Sequence, residues 1–309
     1  MKNSIINSNP NLPFAGLYKT KFETAISSNL HIPLSLKLPE ILFITTIPPR
    51  QCGIATYSQD LIKALENKIK ICALESNNEQ KNYDDQVQYK LNTDDKSAYE
   101  NLTQKIKDNS NIKMVLLQHE FGLFRNSEEE LIEFLTNINK PVIIGFHTVL
   151  PNANDAFKAH LNSIIKKVHS IVVMTNAAAK ILNEEYGVSK DRIAVIPHGT
   201  HLVPHTDKDV LKEKYGFSGR KILSTFGLLS SGKSIETTLD AMPKIVSENK
   251  DVLFLIIGKT HPSVVKEEGE KYRDMLQDKI DDLKINDNVK FINNYVALNQ
   301  LLEYLQLTD

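Results

Sequence analysis

The chain has 309 residues, 41% apolar and 24% charged, with 37 Lys and Arg against 38 Asp and Glu. That balance suits a soluble globular protein with room for two domains, and a net charge of -1 excludes nucleic-acid binding by broad phosphate neutralisation. Two cysteines, Cys52 and Cys72, cannot build a disulfide framework and point to a reducing compartment, the cytoplasm, and no apolar run reaches the roughly 20 residues of a membrane-spanning helix.

Residues 1–37 are rich in Asn, Ser and Pro without a sustained period and read as a poorly ordered extension. From Leu38, β-branched runs follow at "EILFITTI", "IKICALE", "NIKMVLLQ", "PVIIGFHTVL", "SIVVMTN" and "RIAVIP". Amphipathic segments separate most of them, as in "DLIKALENKI", where Leu61, Ile62, Leu65 and Ile69 recur at helical spacing. The strands are almost continuously apolar, which implies burial on both faces by crossover helices. A doubly wound parallel α/β sheet is therefore expected over residues 38–205. The polar, proline-bearing stretch "PHGTHLVPHTDKD" breaks the pattern, and the boundary is expected near Pro204. Over 206–309 the alternation resumes with three strands, "KILSTFG", "DVLFLIIG" and "NVKFINNYV". They predict a second Rossmann-like domain, incomplete, with one sheet edge left bare.

Chemistry-bearing residues recur at strand ends, where open parallel sheets bind ligands. After the first strand, "TTIPPRQCGIATYSQDL" opens a helix; Arg50 can line a cleft, and Gly53 permits close backbone approach, though a helix-start turn explains it as well. Cys52 has no His or Asn partner in its context and reads as a small buried residue rather than a nucleophile. His119 and Glu120 end a strand in "LLQHEFGLF"; they fit either work on a hydroxyl and its proton or a hydrogen-bonded pair closing a loop. His147 ends the next strand in "IIGFHTVLP", as a ligand group or a satisfied edge histidine. His198 follows in "VIPHGTH"; together with His201 and His205 it raises a zinc reading, but no cysteine or second cluster accompanies them and no metal is expected.

In the second half, "ILSTFGLLSSGKSIETTL" contains a full phosphate-loop pattern at Gly227, Gly232, Lys233 and Ser234. A kinase or hydrolase would also need a carboxylate at a neighbouring strand end to hold magnesium, and "DVLFLIIGKTHP" and "NVKFINNYV" supply none there. What remains is a glycine turn, amides expected to be free at a helix N-terminus, and one lysine, which together suit a diphosphate.

The segments "PPRQCGIATYSQDL", "QHEFGLF", "HTVLP", "IPHG", "FGLLSSGKSIE", "GKTHP" and "EGEKYRDML" occur in the order found in a known family. The chain resembles the group 1 retaining glycosyltransferases of the two-Rossmann-domain GT-B fold. The resemblance implies transfer of a sugar from a nucleoside-diphosphate donor to an acceptor hydroxyl with retention, without a further cofactor. It assigns the diphosphate to Lys233 with Gly227, Gly232 and Ser234, and the donor side also to Arg50, Gly53 and His198. It gives His147 to the donor sugar, and His119 and Glu120 to the acceptor. Glycan or glycolipid is the implied acceptor, and peripheral membrane contact stays open as a partner class. Glu270, Tyr272 and Arg273 match a family motif but fit the solvated face of a helix equally well. Two positions depart from the family: Leu228 replaces a frequent Arg, and Ser234 replaces the last glycine of "GKG". The glutamate-bearing loop of the family would follow Asp309, so the donor domain reads as truncated. The alternatives are a non-catalytic, truncated relative that binds without turnover and, further off, a phosphate-loop kinase or NTPase.

Overall fold

The computed structural model describes residues 40–65, 69–77 and 80–309; the expected extension over 1–37 lies outside them. The chain divides into two compact units, Met1–Pro197 and His198–Asp309, at the head of the polar stretch rather than near Pro204. Among the described residues no helix is long and apolar enough to cross a membrane.

Unit 1 is a doubly wound α/β domain. Its strands are β1 (Glu40–Thr45), β2 (Ile69–Glu75), β3 (Val87–Asn92), β4 (Ile112–His119), β5 (Val142–Phe146), β6 (Ser170–Val173) and β7 (Ile193–Val195), all parallel in the order β3-β2-β1-β4-β5-β6-β7. The helices are α1 (Gly53–Ala64), α2 (Lys96–Asp108), α3 (Glu128–Asn137), α4 (Asp155–Ile165) and α5 (Asn176–Tyr186). Leu42, Ile44, Leu117, Ile144 and Ile171 form one continuous core with Leu102, Leu131, Leu161 and Leu182 of the helices. β3 and α2 were not anticipated. β3 is a sheet-edge strand whose burial alternates, so it leaves no apolar run to notice.

Unit 2 contains α6 (Lys208–Tyr215), β8 (Lys221–Phe226), α7 (Ile235–Glu248), β9 (Val252–Ile257), α8 (Pro262–Glu268), α9 (Lys271–Asp282), β10 (Val289–Ile292) and α10 (Leu298–Leu307). Its parallel sheet runs β10-β9-β8. The central strand β9 is buried at every position because it serves two cores. Val252, Phe254 and Ile256 pack with Leu239, Met242, Tyr272 and Leu276, whereas Leu253, Leu255 and Ile257 pack with Leu211, Tyr304 and Leu307. Period-two side-chain alternation between two helical layers explains why its sequence, VLFLII, has no polar face. β8 is an edge strand of this sheet, and at Ile222 it is bonded to Asp309. The Ile222 amide donates to the Asp309 carboxylate at 2.8 Å, and its carbonyl accepts from the Asp309 amide at 2.9 Å. The buried Lys212 ammonium reaches the same carboxylate oxygen at 2.6 Å, and these contacts hold the Asp309 carboxyl well below the usual carboxylate range despite its partial burial.

Candidate functional site

In unit 1 the strand order reverses between β1 and β4, and the crevice outside their carboxyl ends is where such sheets bind ligands. β1 delivers the turn of Pro48 and Pro49, whose peptide bond is cis, into α1. Cys52 is not the buried filler expected from sequence. It is half-buried and caps α1, its sulfur accepting from the Ala55 amide at 3.4 Å and lying 3.3 Å from Thr46 Oγ1. Gly53 is exposed, and a Cβ added there would meet no atom within 4 Å, so nothing in the described protein demands glycine. Arg50 lies beside it, half-buried, with Nη1 3.5 Å from the Leu74 carbonyl.

β4 and β5 bring the histidines and Glu120 together. The ladder continues past β5 through the His147 amide, which donates to the His119 carbonyl at 3.1 Å. Gln118, buried at the end of β4, accepts from His147 Nε2 at 2.6 Å. A carboxamide oxygen only accepts, so Nε2 carries a hydrogen. Tyr57 of α1 holds the ring edge-on, with centroids 5.2 Å apart. Gly145 pairs with Gln118 across the ladder, and a Cβ there would stand 2.8 Å from Gln118 Oε1. Gln118 and Gly145 were missed in the sequence, although "QHE" and "GFH" contain both.

Glu120 is committed at both oxygens. One accepts from the Phe121 amide at 3.1 Å, and the other accepts from Thr148 Oγ1 at 2.6 Å. His119 points the other way. It is 2% exposed, caged by Phe121, Phe124 and Phe146, and its Nδ1 has no partner. Burial, reinforced by the charges of His160 and His147, lowers its pKa to about 3. A neutral ring enclosed by phenylalanines cannot carry an acceptor's proton, so the acceptor-side role expected for His119 is corrected to a packing role.

In unit 2 the phosphate-loop stretch leaves β8 through Gly227, at φ 128°, and turns through a 3-10 segment, Ser231–Lys233, to Ser234 at φ 48°. The Lys233 ammonium folds back over Gly227, where an added Cβ would stand 3.8 Å from Nζ. The loop is stitched to the end of β9. Gly227 donates to Ile257, Leu229 to Lys259, and His261 back to Leu229, each at 2.9 Å. Gly258, at φ 130°, could not carry a side chain, since its Cβ would lie 1.9 Å from the Gly227 carbonyl oxygen. The expectation of free amides at the start of α7 is corrected. Ile235 N–H donates to Tyr272 Oη at 3.1 Å, while the amides of Lys233 and Ser234 donate within the turn to Ser230 and Ser231. Lys233 and Gly232 are exposed, so the lysine and the glycine turn present the positive surface.

His198, His201 and His205 all lie exposed in the segment between β7 and α6, and among the described residues no three metal-ligating side chains converge.

Residues 52–203 match Glycosyltransferase Family 4, and residues 207–309 match Glycosyl transferases group 1. The chain belongs to the group 1 glycosyltransferases. The first match begins after β1, at Cys52, and the second runs through β8, β9 and β10. A search of curated proteins returned no match. Among solved structures, Alr3699/HepE from Anabaena, crystallised with UDP and glucose, is 14% identical with TM-score 0.65, over 88% of this chain and 72% of its own. A glycosyltransferase from Rickettsia africae is 17% identical with TM-score 0.59, over 88% and 72%. A UDP-forming α,α-trehalose-phosphate synthase from Burkholderia xenovorans is 12% identical with TM-score 0.59, over 88% and 82%. At such identities the likeness shows the GT-B fold of this glycosyltransferase, and its site residues rest on their own geometry.

Proposed function

We propose that this glycosyltransferase moves a sugar from a nucleoside-diphosphate donor to the hydroxyl of a glycan or glycolipid, with retention at the anomeric carbon and without a metal. The observation that carries the reading is Lys233, held over Gly227 at the carboxyl end of β8. Cleavage of a sugar–diphosphate bond builds negative charge on the leaving phosphate, and a fixed ammonium stabilises that charge as it grows. A soft loop would have to reorganise first; this one is bonded at three points to the last residue of β9 and the segment that follows it. In unit 1, His147 is oriented by Gln118 and Tyr57 and is assigned to a hydroxyl of the donor sugar. Glu120, braced by Thr148, is the carboxylate beside it and orients the acceptor. Arg50, Gly53 and His198 are assigned to the donor side. The cytoplasm is the proposed compartment, in keeping with the free thiols Cys52 and Cys72.

Calorimetry with UDP, GDP and ADP beside uridine, guanosine and adenosine tests the lysine. The Anabaena structure, with UDP and glucose, makes uridine compounds the first pair to try. Lys233→Ala should weaken the bound diphosphate by about 1.5–3 kcal/mol and leave its nucleoside unchanged. Equal loss for both would remove the diphosphate role. Proton NMR of the product's anomeric coupling tests the stereochemistry, and an inverted product would overturn retention.

A further inference from the structure

The groups that hold the Gly227–Ser234 loop most firmly at its far end, and hold its β9 seam, do not belong to it. They stand in the first turn of α9 and the residue before it, in the stretch "GEKYR" that sequence reads as a solvated helix face. Tyr272 is 6% exposed. Its hydroxyl accepts from the Ile235 amide at 3.1 Å and donates to Glu236 Oε2 at 2.6 Å. That amide is the first of α7 and directly follows Ser234, a non-glycine residue at φ 48° with no side-chain cap of its own. A left-handed serine is an unfavourable conformation that persists when its surroundings hold it. Tyr272 supplies that hold, as a cap delivered from another helix. Burial, then the bond to Glu236, raises its pKa to about 12, so the hydroxyl remains a donor at neutral pH.

Two residues earlier, Glu270 secures the other side. Its Oε2 accepts from Thr260 Oγ1, a hydroxyl 1% exposed, and lies 3.3 Å from Arg273 Nε. Thr260 is the residue that bridges Leu229 in parallel, with Leu229 bonded to Lys259 and His261 on either side. Glu270 thus fixes the β9 extension against which the first half of the loop is laid. Tyr272 fixes the point where the second half becomes helix.

We infer that Tyr272 and Glu270 are positioning residues for diphosphate recognition. Together they clamp the two sides of the loop so that Lys233 keeps its place over Gly227. The inference rests on the diphosphate reading of that loop. Without the tyrosine hydroxyl, Ile235 loses its acceptor, Ser234 is released, and the adjacent Lys233 loses its fixed station.

Calorimetry and amide hydrogen exchange on the full chain test this, with UDP, GDP or ADP, whichever the wild type binds, and its nucleoside as probes. Tyr272→Phe keeps the buried ring and removes one hydroxyl. It should weaken the diphosphate about tenfold, leave the nucleoside within twofold, and speed exchange of the 228–235 amides without changing β9. Glu270→Ala should do the same at residues 228–230, and Glu270→Gln, which retains an acceptor for Thr260, should restore most of the affinity. Unaltered diphosphate affinity in both Tyr272→Phe and Glu270→Ala, with Lys233→Ala still weakened, overturns the clamp and leaves the diphosphate site standing. Faster loop exchange in Tyr272→Phe with no effect of Lys233→Ala on diphosphate removes the site reading, and the positioning role with it. Lost protection of β9 in one variant marks unfolding of unit 2, and the other variant then decides.

Discussion

The two units present their chemistry in opposite ways. Unit 1 uses side chains that project from the ends of neighbouring strands and brace one another, Gln118 to His147 and Glu120 to Thr148. Unit 2 uses backbone. Its loop is fixed by amide–carbonyl bonds to β9, by two glycines at positive φ, and by a tyrosine that caps a helix it does not belong to. Substitution in unit 1 should therefore alter function with little change in fold. In unit 2 the loop and the stability of the sheet beneath it are one problem, because the atoms that shape the loop also close the end of β9.

That contrast is broken most severely at Gly258. An alanine Cβ would fall 1.9 Å from the Gly227 carbonyl oxygen in a backbone region that side chains avoid. Gly258→Ala should cost about 3–5 kcal/mol, seen as lost exchange protection in β8 and β9 while β4 and β5 keep theirs. Wild-type protection would mean that the two loops separate freely. His119 gives the next effect and is confined to acid. The buried neutral ring has a folded pKa of about 3 against an ordinary value of 6.5, so the unfolded chain takes up the proton first. Stability should fall as pH drops from about 6.5 toward 3, by about 2 kcal/mol at pH 5. His119→Leu should remove that slope in urea titrations of unit 1, and an unchanged slope would show that the ring protonates in place.

Gln118→Ala should lower sugar transfer about tenfold, the equivalent of one lost hydrogen bond to His147, with unit 1 still folded. Nitrogen-15 shifts of the imidazole report whether the Nε2–H tautomer is lost; a retained tautomer with full activity would show that Gln118 does not orient the ring. Cys52→Ser should change least. Serine is also a good helix cap, so unfolding of unit 1 should shift by less than about 0.5 kcal/mol and transfer should persist. Loss of transfer would restore a chemical role for the thiol.

Much of this was legible in the chain. The run VLFLII announced a strand buried on both faces, and the repeat of such runs announced parallel sheets. Lys233, Gly227, Glu120 and His147 were legible as polar or glycine residues that interrupt apolar runs at their ends. His119 was misread for the same reason, since a strand-end position does not say to which side of the sheet a side chain turns. Tyr272 was set aside because its helix carries charges on most of its turns, and nothing in "GEKYR" names Ile235 as its partner.

The sequence by itself determined the alternation of strand and helix, the two-unit division and the residues available at each strand end, because these follow from local periodicity and from where apolar runs stop. Only the tertiary structure decided which of those residues meet. Gln118 reaches His147 because β4 and β5 are neighbours in one register, and Gly258 must be glycine because two strand ends converge on Gly227. His119 is shut off from water because Phe146 of the neighbouring strand β5 closes over its ring together with Phe121 and Phe124 of the turn that follows it. Contacts between residues far apart in sequence depend on strand order and register, and these are set when the sheet assembles rather than by any short stretch of chain.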